Sequence, residues 1–178
     1  MQHLLNLKME IIPPVALRDR HVLILLKNAD GKFLLGAKAI YPEGIYRLMG
    51  GGVEAGEEVL PAAVRELQEE TGLVVAPDQL KHLSTITAEI DEVSTGKHVT
   101  FVTDLFFLNV GDQKLTPADD IQDLKAMSRE EVEELIQRYA ELPPETDQTK
   151  GFSWFDYGQL YGAIHRIALD EVKHVEST

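Results

Sequence analysis

Hydrophobic and polar positions alternate with a strand-like period over much of this chain and with a helical period in three other stretches. His21–Lys27 (HVLILLK) and Lys32–Lys38 (KFLLGAK) are short apolar runs on either side of Asn28-Ala29-Asp30-Gly31. That composition marks a tight turn, so the segment predicts a β-hairpin with both strands buried. Leu80–Glu89 and His98–Val110 repeat the arrangement around the polar loop Asp91–Lys97, a second hairpin whose charged tip is read as solvated. Met1–Val15 alternates weakly up to Pro13-Pro14 and reads as an edge strand or an arm. Gly44–Leu48 and Gln122–Met127 are predicted as further short strands.

The helical stretches are better punctuated. In Gly51–Leu73 (GGVEAGEEVLPAAVRELQEETGL), Gly56 breaks the loop, Glu57 and Glu58 favour a helix N-terminus, Pro61 fits only a first turn, and Gly72 fits a left-handed stop. Ser128-Arg129-Glu130-Glu131 is a capping box opening a helix to about Tyr139, packed through Val132, Leu135 and Ile136. Its Glu130, Glu131, Glu133 and Glu134 form a solvated face. Asp156–Val172 is the last helix, with Tyr157, Leu160, Tyr161, Ile164 and Ala168 at helical spacing after the aromatics Phe152, Trp154 and Phe155. Core packing is the first reading of these aromatics, and stacking of Trp154 or Tyr161 on a nucleobase the second. The six histidines are scattered, which suits ordinary surface or satisfied core roles. Pro143-Pro144 with Glu145–Lys150 is a linker-like break too near the end to found a second domain, so residues 1–178 read as one domain.

Chemistry enters through the first helix. At 100° per residue, Leu60, Ala63, Val64, Leu67 and Thr71 fall on one side and Glu66, Glu69 and Glu70 on another. Gly51–Leu73 holds six glutamates and one arginine, Arg65. Like charges at i, i+3 and i+4 destabilise a helix, and anions near its C-terminus oppose the dipole, so a positive partner is implied. Hard oxygens on one face suit Mg²⁺ or Mn²⁺. Gly50, Gly51 and Gly52 allow close backbone approach to a ligand, or serve a loop that needs positive φ. Arg47 and Lys38 are the nearest cations for phosphate oxygens.

Charge and composition narrow the partners. A net charge of −13 without a basic stripe argues against nucleic acid, while small phosphorylated substrates remain reachable through bound cations. The absence of cysteine excludes disulfides and thiolate metal sites and is compatible with a reducing cytoplasm. No apolar run approaches membrane-spanning length, and the start of the chain lacks a signal-peptide pattern.

Gly51, Glu57 and the run Arg65-Glu66-Leu67-Gln68-Glu69-Glu70-Thr71-Gly72-Leu73, at these spacings, resemble the Nudix box of MutT-type pyrophosphohydrolases at every specified position. Tyr46–Glu54 extends the likeness, with Met49 where the family commonly has proline. The resemblance implies an α/β/α sandwich with a mixed sheet and a phosphoanhydride hydrolase dependent on Mg²⁺ or Mn²⁺. It implies Glu66, Glu69 and Glu70 as metal ligands and catalytic groups, with the Gly51 carbonyl able to join the metal shell. Lys38, Arg47, Gly51 and Gly52 are the substrate contacts, Glu57 and Arg65 structural supports, and Glu66 or a loop acid such as Asp119 or Asp120 the general base. An N-terminal arm in this family often serves dimer contacts, which suggests a homodimer.

Expected substrates are nucleoside diphosphate derivatives: an NDP-sugar, ADP-ribose or a (d)NTP. The proline that marks many ADP-ribose pyrophosphatases beyond the box is not evident, since Pro77 comes early and the next is Pro117. Two competitors share the fold. A non-catalytic nucleotide-binding regulator often loses box carboxylates, all retained here, and an isopentenyl-diphosphate isomerase in its usual form needs a cysteine that this chain lacks.

Overall fold

The computed structural model describes residues 1–147 and 151–176. Six strands form one mixed sheet: β1 (Gln2–Met9), β2 (Arg20–Asn28), β3 (Phe33–Lys38), β4 (Lys81–Glu92), β5 (His98–Gly111) and β6 (Ile121–Met127), in the order β1-β4-β5-β2-β3-β6. Both predicted hairpins are present, β2 with β3 and β4 with β5 antiparallel, whereas β1 joins β4 and β2 joins β5 in parallel. Met1–Val15 therefore does supply an edge strand. Gly44–Leu48 does not form the strand expected of it. Residues 47–52 instead meet β3 and then β2 through isolated antiparallel bridges, Arg47 with Gly36, Met49 with Ile24 and Gly52 with His21, the conformation of Gly50, with φ at 128°, interrupting a regular ladder.

Helix α1 (Val59–Thr71) covers one face of the sheet, and α2 (Arg129–Ala140) with α3 (Trp154–Glu176) covers the other, which is the predicted sandwich. The alternation of β2 explains the layers: Val22, Ile24 and Leu26 pack with Ala62, Ala63 and Leu67 of α1, and Leu23 and Leu25 pack on the opposite side with the α2–α3 layer. Ser128 caps α2 as its sequence demands, its hydroxyl accepting from Glu131 N–H while the Glu131 carboxylate accepts from Ser128 N–H. The helices of that layer meet at Gly158, where a Cβ would stand 2.1 Å from the Tyr139 carbonyl oxygen. Helix α3 begins two residues before the expected Asp156 and so includes Trp154 and Phe155. Of the linker-like break, Thr146–Asp147 pairs with Phe152–Ser153 as a two-stranded ribbon, and residues 148–150 lie outside the described residues. No helix among the described residues is long and apolar enough to cross a membrane.

The N-terminal segment is pinned immediately after β1. Asp156 accepts from Glu10 and Ile11 N–H, and Glu92 accepts from Ile12 N–H. The charged tip of the β4–β5 hairpin thus docks on the chain's own N-terminal segment, which carries Pro13–Leu17 across one end of the sheet.

His165 of α3 is a satisfied core histidine: its Nδ1 donates to the Tyr161 carbonyl at 2.6 Å and its Nε2 accepts from Leu48 N–H at 3.1 Å. Burial pushes its pKa down to about 4, with the nearby Arg47 charge acting in the same direction. A histidine depressed in the folded state contributes stability that is complete above its unfolded value of about 6.5 and is lost as pH falls toward 4. The melting temperature is therefore expected to fall over that window. His165→Gln, which titrates in neither state, should show a shallower fall in parallel melts, and an unchanged slope would refute this origin.

Candidate active site

Helix α1 and the loop before it are organised by Arg65. Its guanidinium donates to both Glu57 oxygens at 2.9 Å, to Glu66 Oε1 at 2.8 Å, to Glu69 Oε2 at 3.1 Å and to the Gly52 carbonyl at 3.0 Å. This is the structural role expected of Glu57 and Arg65. The bidentate pairing holds the Glu57 carboxyl down at about 2.

The three carboxylates of the helix differ in setting. Glu69 is exposed, Glu66 half-buried and Glu70 buried, with only 2% of its surface accessible. Burial raises the pKa of Glu66 and pushes that of Glu70 up to about 7, against the opposing pull of the Arg47 charge and the Gly50 N–H, which donates to Glu70 Oε2 at 2.7 Å. Gly50 can make that bond only in an unusual conformation, with φ at 128° and a Cβ position 2.1 Å from the Val22 carbonyl oxygen. The Glu66 carboxylate lies against Gly51, where a Cβ would meet its oxygens at 2.5 and 2.6 Å. The Gly51 carbonyl accepts from Val22 N–H at 2.9 Å and retains its second lone pair.

These groups share a cleft of about 400 Å³. Glu66, Glu69, Glu70, Gly50 and Gly51 line one part, Lys38, Asp119 and Asp120 another, and Tyr41, Phe152, Trp154, Pro13 and Pro14 an aromatic and apolar part. The loop bearing Asp119 and Asp120 is fixed to the end of α1 by Ala118 N–H on the Glu70 carbonyl and Thr116 N–H on the Thr71 carbonyl. Lys38 Nζ donates to Asp120 Oδ2 at 2.5 Å, so two residues singled out separately in the sequence form one pair at the cleft edge.

Arg47 also lines the cleft, from a buried position. Its surface is 7% accessible, and its guanidinium donates to the Gly50 carbonyl at 2.8 Å and to the Tyr161 hydroxyl at 3.2 Å while packing on the Tyr161 ring. Through these bonds it braces the glycine turn, and it supplies a buried positive charge near Glu70. Tyr161 is accordingly core. Trp154 does border the cleft.

The donor set suits a hard dication. One oxygen of each carboxylate is held by Arg65 or Gly50, leaving Glu66 Oε2, Glu69 Oε1 and Glu70 Oε1 without a hydrogen-bond partner among the described residues. The three are nonetheless not gathered into a closed cage: among the described residues no group of three acidic or imidazole side chains could hold an ion as it stands. Arg65 and Gly50 hold the carboxylates by their other oxygens, and a dication would have to draw the free ones together against their like charge.

A family model of the NUDIX domain matches residues 17–147. The chain belongs to the NUDIX family. It is 36% identical over 95 residues to an ADP-ribose pyrophosphatase of Methanocaldococcus jannaschii, a match covering 53% of this chain and 53% of that protein. It is also 32% identical over 74 residues to an RNA pyrophosphohydrolase of Novosphingobium aromaticivorans, covering 38% of this chain and 46% of that one. These matches span about half the length of the two relatives. Among solved structures, a MutT protein from Bacillus halodurans is similar with a TM-score of 0.53 and 26% identity, over 65% of this chain and 72% of that one.

Arg18 and His21 are among the NUDIX cleft residues that no sequence pattern singles out. Arg18 falls in a short polar link before β2, and His21 opens an apolar run where a histidine reads as a strand boundary. Only the docking of the N-terminal segment and the bridge from His21 to Gly52 bring them to the glycine turn.

Proposed function

We propose that the chain is a divalent-metal-dependent pyrophosphohydrolase that cleaves a phosphoanhydride bond in a nucleoside diphosphate linked to another moiety. The observation that carries the reading is the sharing of one cleft by the three α1 carboxylates, each with an oxygen free of protein donors, and the cations Lys38 and Arg18. Glu66, Glu69 and Glu70, with the Gly51 carbonyl, would hold Mg²⁺ or Mn²⁺, which neutralises phosphoanhydride oxygens and acidifies bound water. Arg65 keeps Glu66 and Glu69 aimed, and Gly50 N–H keeps Glu70 in place. Lys38 is set to exchange its Asp120 partner for a phosphoryl oxygen, which would free that carboxylate.

Two carboxylates are then placed to accept the proton of the attacking water, Glu66 and the Asp120 released by Lys38. Asp120→Asn and Glu66→Gln separate these roles. The variant lacking the base loses turnover while keeping its metal affinity, and the variant lacking a ligand loses both.

The test incubates purified protein with Mg²⁺ or Mn²⁺ and ADP-ribose, NDP-sugars, (d)NTPs and a 5′-triphosphorylated RNA, identifying both products by mass spectrometry. Cleavage of the anhydride in at least one nucleotide, abolished by EDTA, is expected. The RNA is included because one relative is named for it, and the charge of −13 makes it the weaker substrate. No cleavage of any member with either ion would overturn the proposal.

A further inference from the structure

The cleft holds a polar side chain that the metal site does not use. His21 is 1% accessible, its ring lines the cleft, and neither of its nitrogens bonds to any group among the described residues. Nδ1 is fully enclosed without a partner, on a ring set 5.6 Å from that of Phe101. A buried N–H without an acceptor is costlier than an idle acceptor, so the proton of the neutral ring belongs on Nε2, the nitrogen left to the cleft. Burial and the neighbouring charges of Arg47, Arg18 and Lys38 keep the ring neutral. The fold thus maintains an unsatisfied imidazole at the start of β2, where an apolar side chain of similar shape would pack at less cost.

Arg18 stands next to it. A Cβ on Gly52 would meet Arg18 Nη1 at 2.5 Å, so the guanidinium lies over the glycine turn whose other member, Gly51, abuts Glu66. Arg18 forms no ion pair with any described residue, in contrast to Arg65 and Lys38. A cation without a protein anion and a neutral donor without a protein acceptor therefore face one cleft, beside the carboxylates.

We propose that His21 and Arg18 are specificity-determining residues of this site, Arg18 pairing with a phosphoryl oxygen and His21 Nε2 donating to an oxygen of the group that phosphate carries. The inference rests on the reading of the cleft as a nucleoside diphosphate site and adds the side from which the ligand is recognised. A fixed neutral donor adds hydrogen bonding without adding charge, so the pair favours a phosphate ester over bare pyrophosphate.

The test uses ADP with Mg²⁺ as the binding probe by calorimetry, thermal melts, and steady-state kinetics on the best substrate of the panel. His21→Phe is expected to weaken ADP about tenfold or more and to raise KM likewise, with kcat within about threefold and a melting temperature equal to or above wild type. His21→Gln, which restores an N–H donor, should recover part of the affinity. Arg18→Gln should weaken ADP about tenfold without destabilising the fold. Parent-like ADP affinity in His21→Phe, or a lowered melting temperature with equal loss in His21→Phe and His21→Gln, would overturn the role of His21. Parent-like affinity in Arg18→Gln would overturn that of Arg18. Binding of ADP that depends on His21 in a protein that cleaves nothing sinks the hydrolase reading and leaves this one standing; a wild-type protein that neither binds nor cleaves sinks both.

Discussion

Glu70→Gln is expected to cut turnover by about 10²–10³-fold while the metal-free protein melts at or above the temperature of the parent. The two halves of this expectation come from one observation. Glu70 is buried and its carboxyl is pushed up to about 7, so near neutral pH the fold bears the cost of a partly ionised group out of water. Glutamine has nearly the same shape and keeps an oxygen to accept from Gly50 N–H, so the glycine turn remains held. What it loses is the negative charge that would hold a dication. Glu69→Gln should lose turnover similarly with no change in stability, because Glu69 is exposed and bonded to the protein only through Arg65. Initial rates in Mg²⁺ with melts in EDTA check both halves. Parent-like rates in both variants would refute the assignment of the metal site.

The parts of this molecule that could be read from the sequence are those determined by neighbours along the chain. The α1 punctuation, the capping box of α2 and the turn residues of the hairpins all act within a few residues, and each appears where expected. The α1 face bearing Glu66, Glu69 and Glu70 follows from helical geometry alone, and its setting near the glycine turn follows from the family pattern. Contacts between distant segments were not legible. Arg47 reads as a cation beside the glycines, and nothing local announces that Tyr161, 114 residues later, provides a hydroxyl and a ring for it. Gly44–Leu48 has the composition of a strand, yet the close approach of Gly50 to Val22 and Glu70 leaves the chain there only isolated bridges to its neighbours. The parallel placement of β1 beside β4 and the position of the buried His21 at the cleft go with the pinning of Ile11 and Ile12 by Asp156 and Glu92, which no local pattern announces.

Arg65→Ala is expected to lower stability by about 2 kcal/mol and turnover by more than tenfold, and Arg65→Lys to recover little of either. The side chain is about a quarter accessible, so part of its charge interaction is screened, but it satisfies Glu57, Glu66, Glu69 and the Gly52 carbonyl at once. Its removal leaves three carboxylates near one another without their shared cation and releases the loop that Glu57 ties to the helix. Lysine keeps the charge but offers one ammonium where a planar fork reaches four partners, so it cannot replace both the bidentate pairing with Glu57 and the bonds to Glu66 and Glu69. Because the carboxylates still carry their negative charge, added Mg²⁺ should raise the melting temperature of Arg65→Ala more than that of the parent, the dication taking over part of the lost compensation. Melts across a Mg²⁺ titration decide the matter: equal shifts in both proteins would mean that Arg65 and the cation do not act on the same carboxylates.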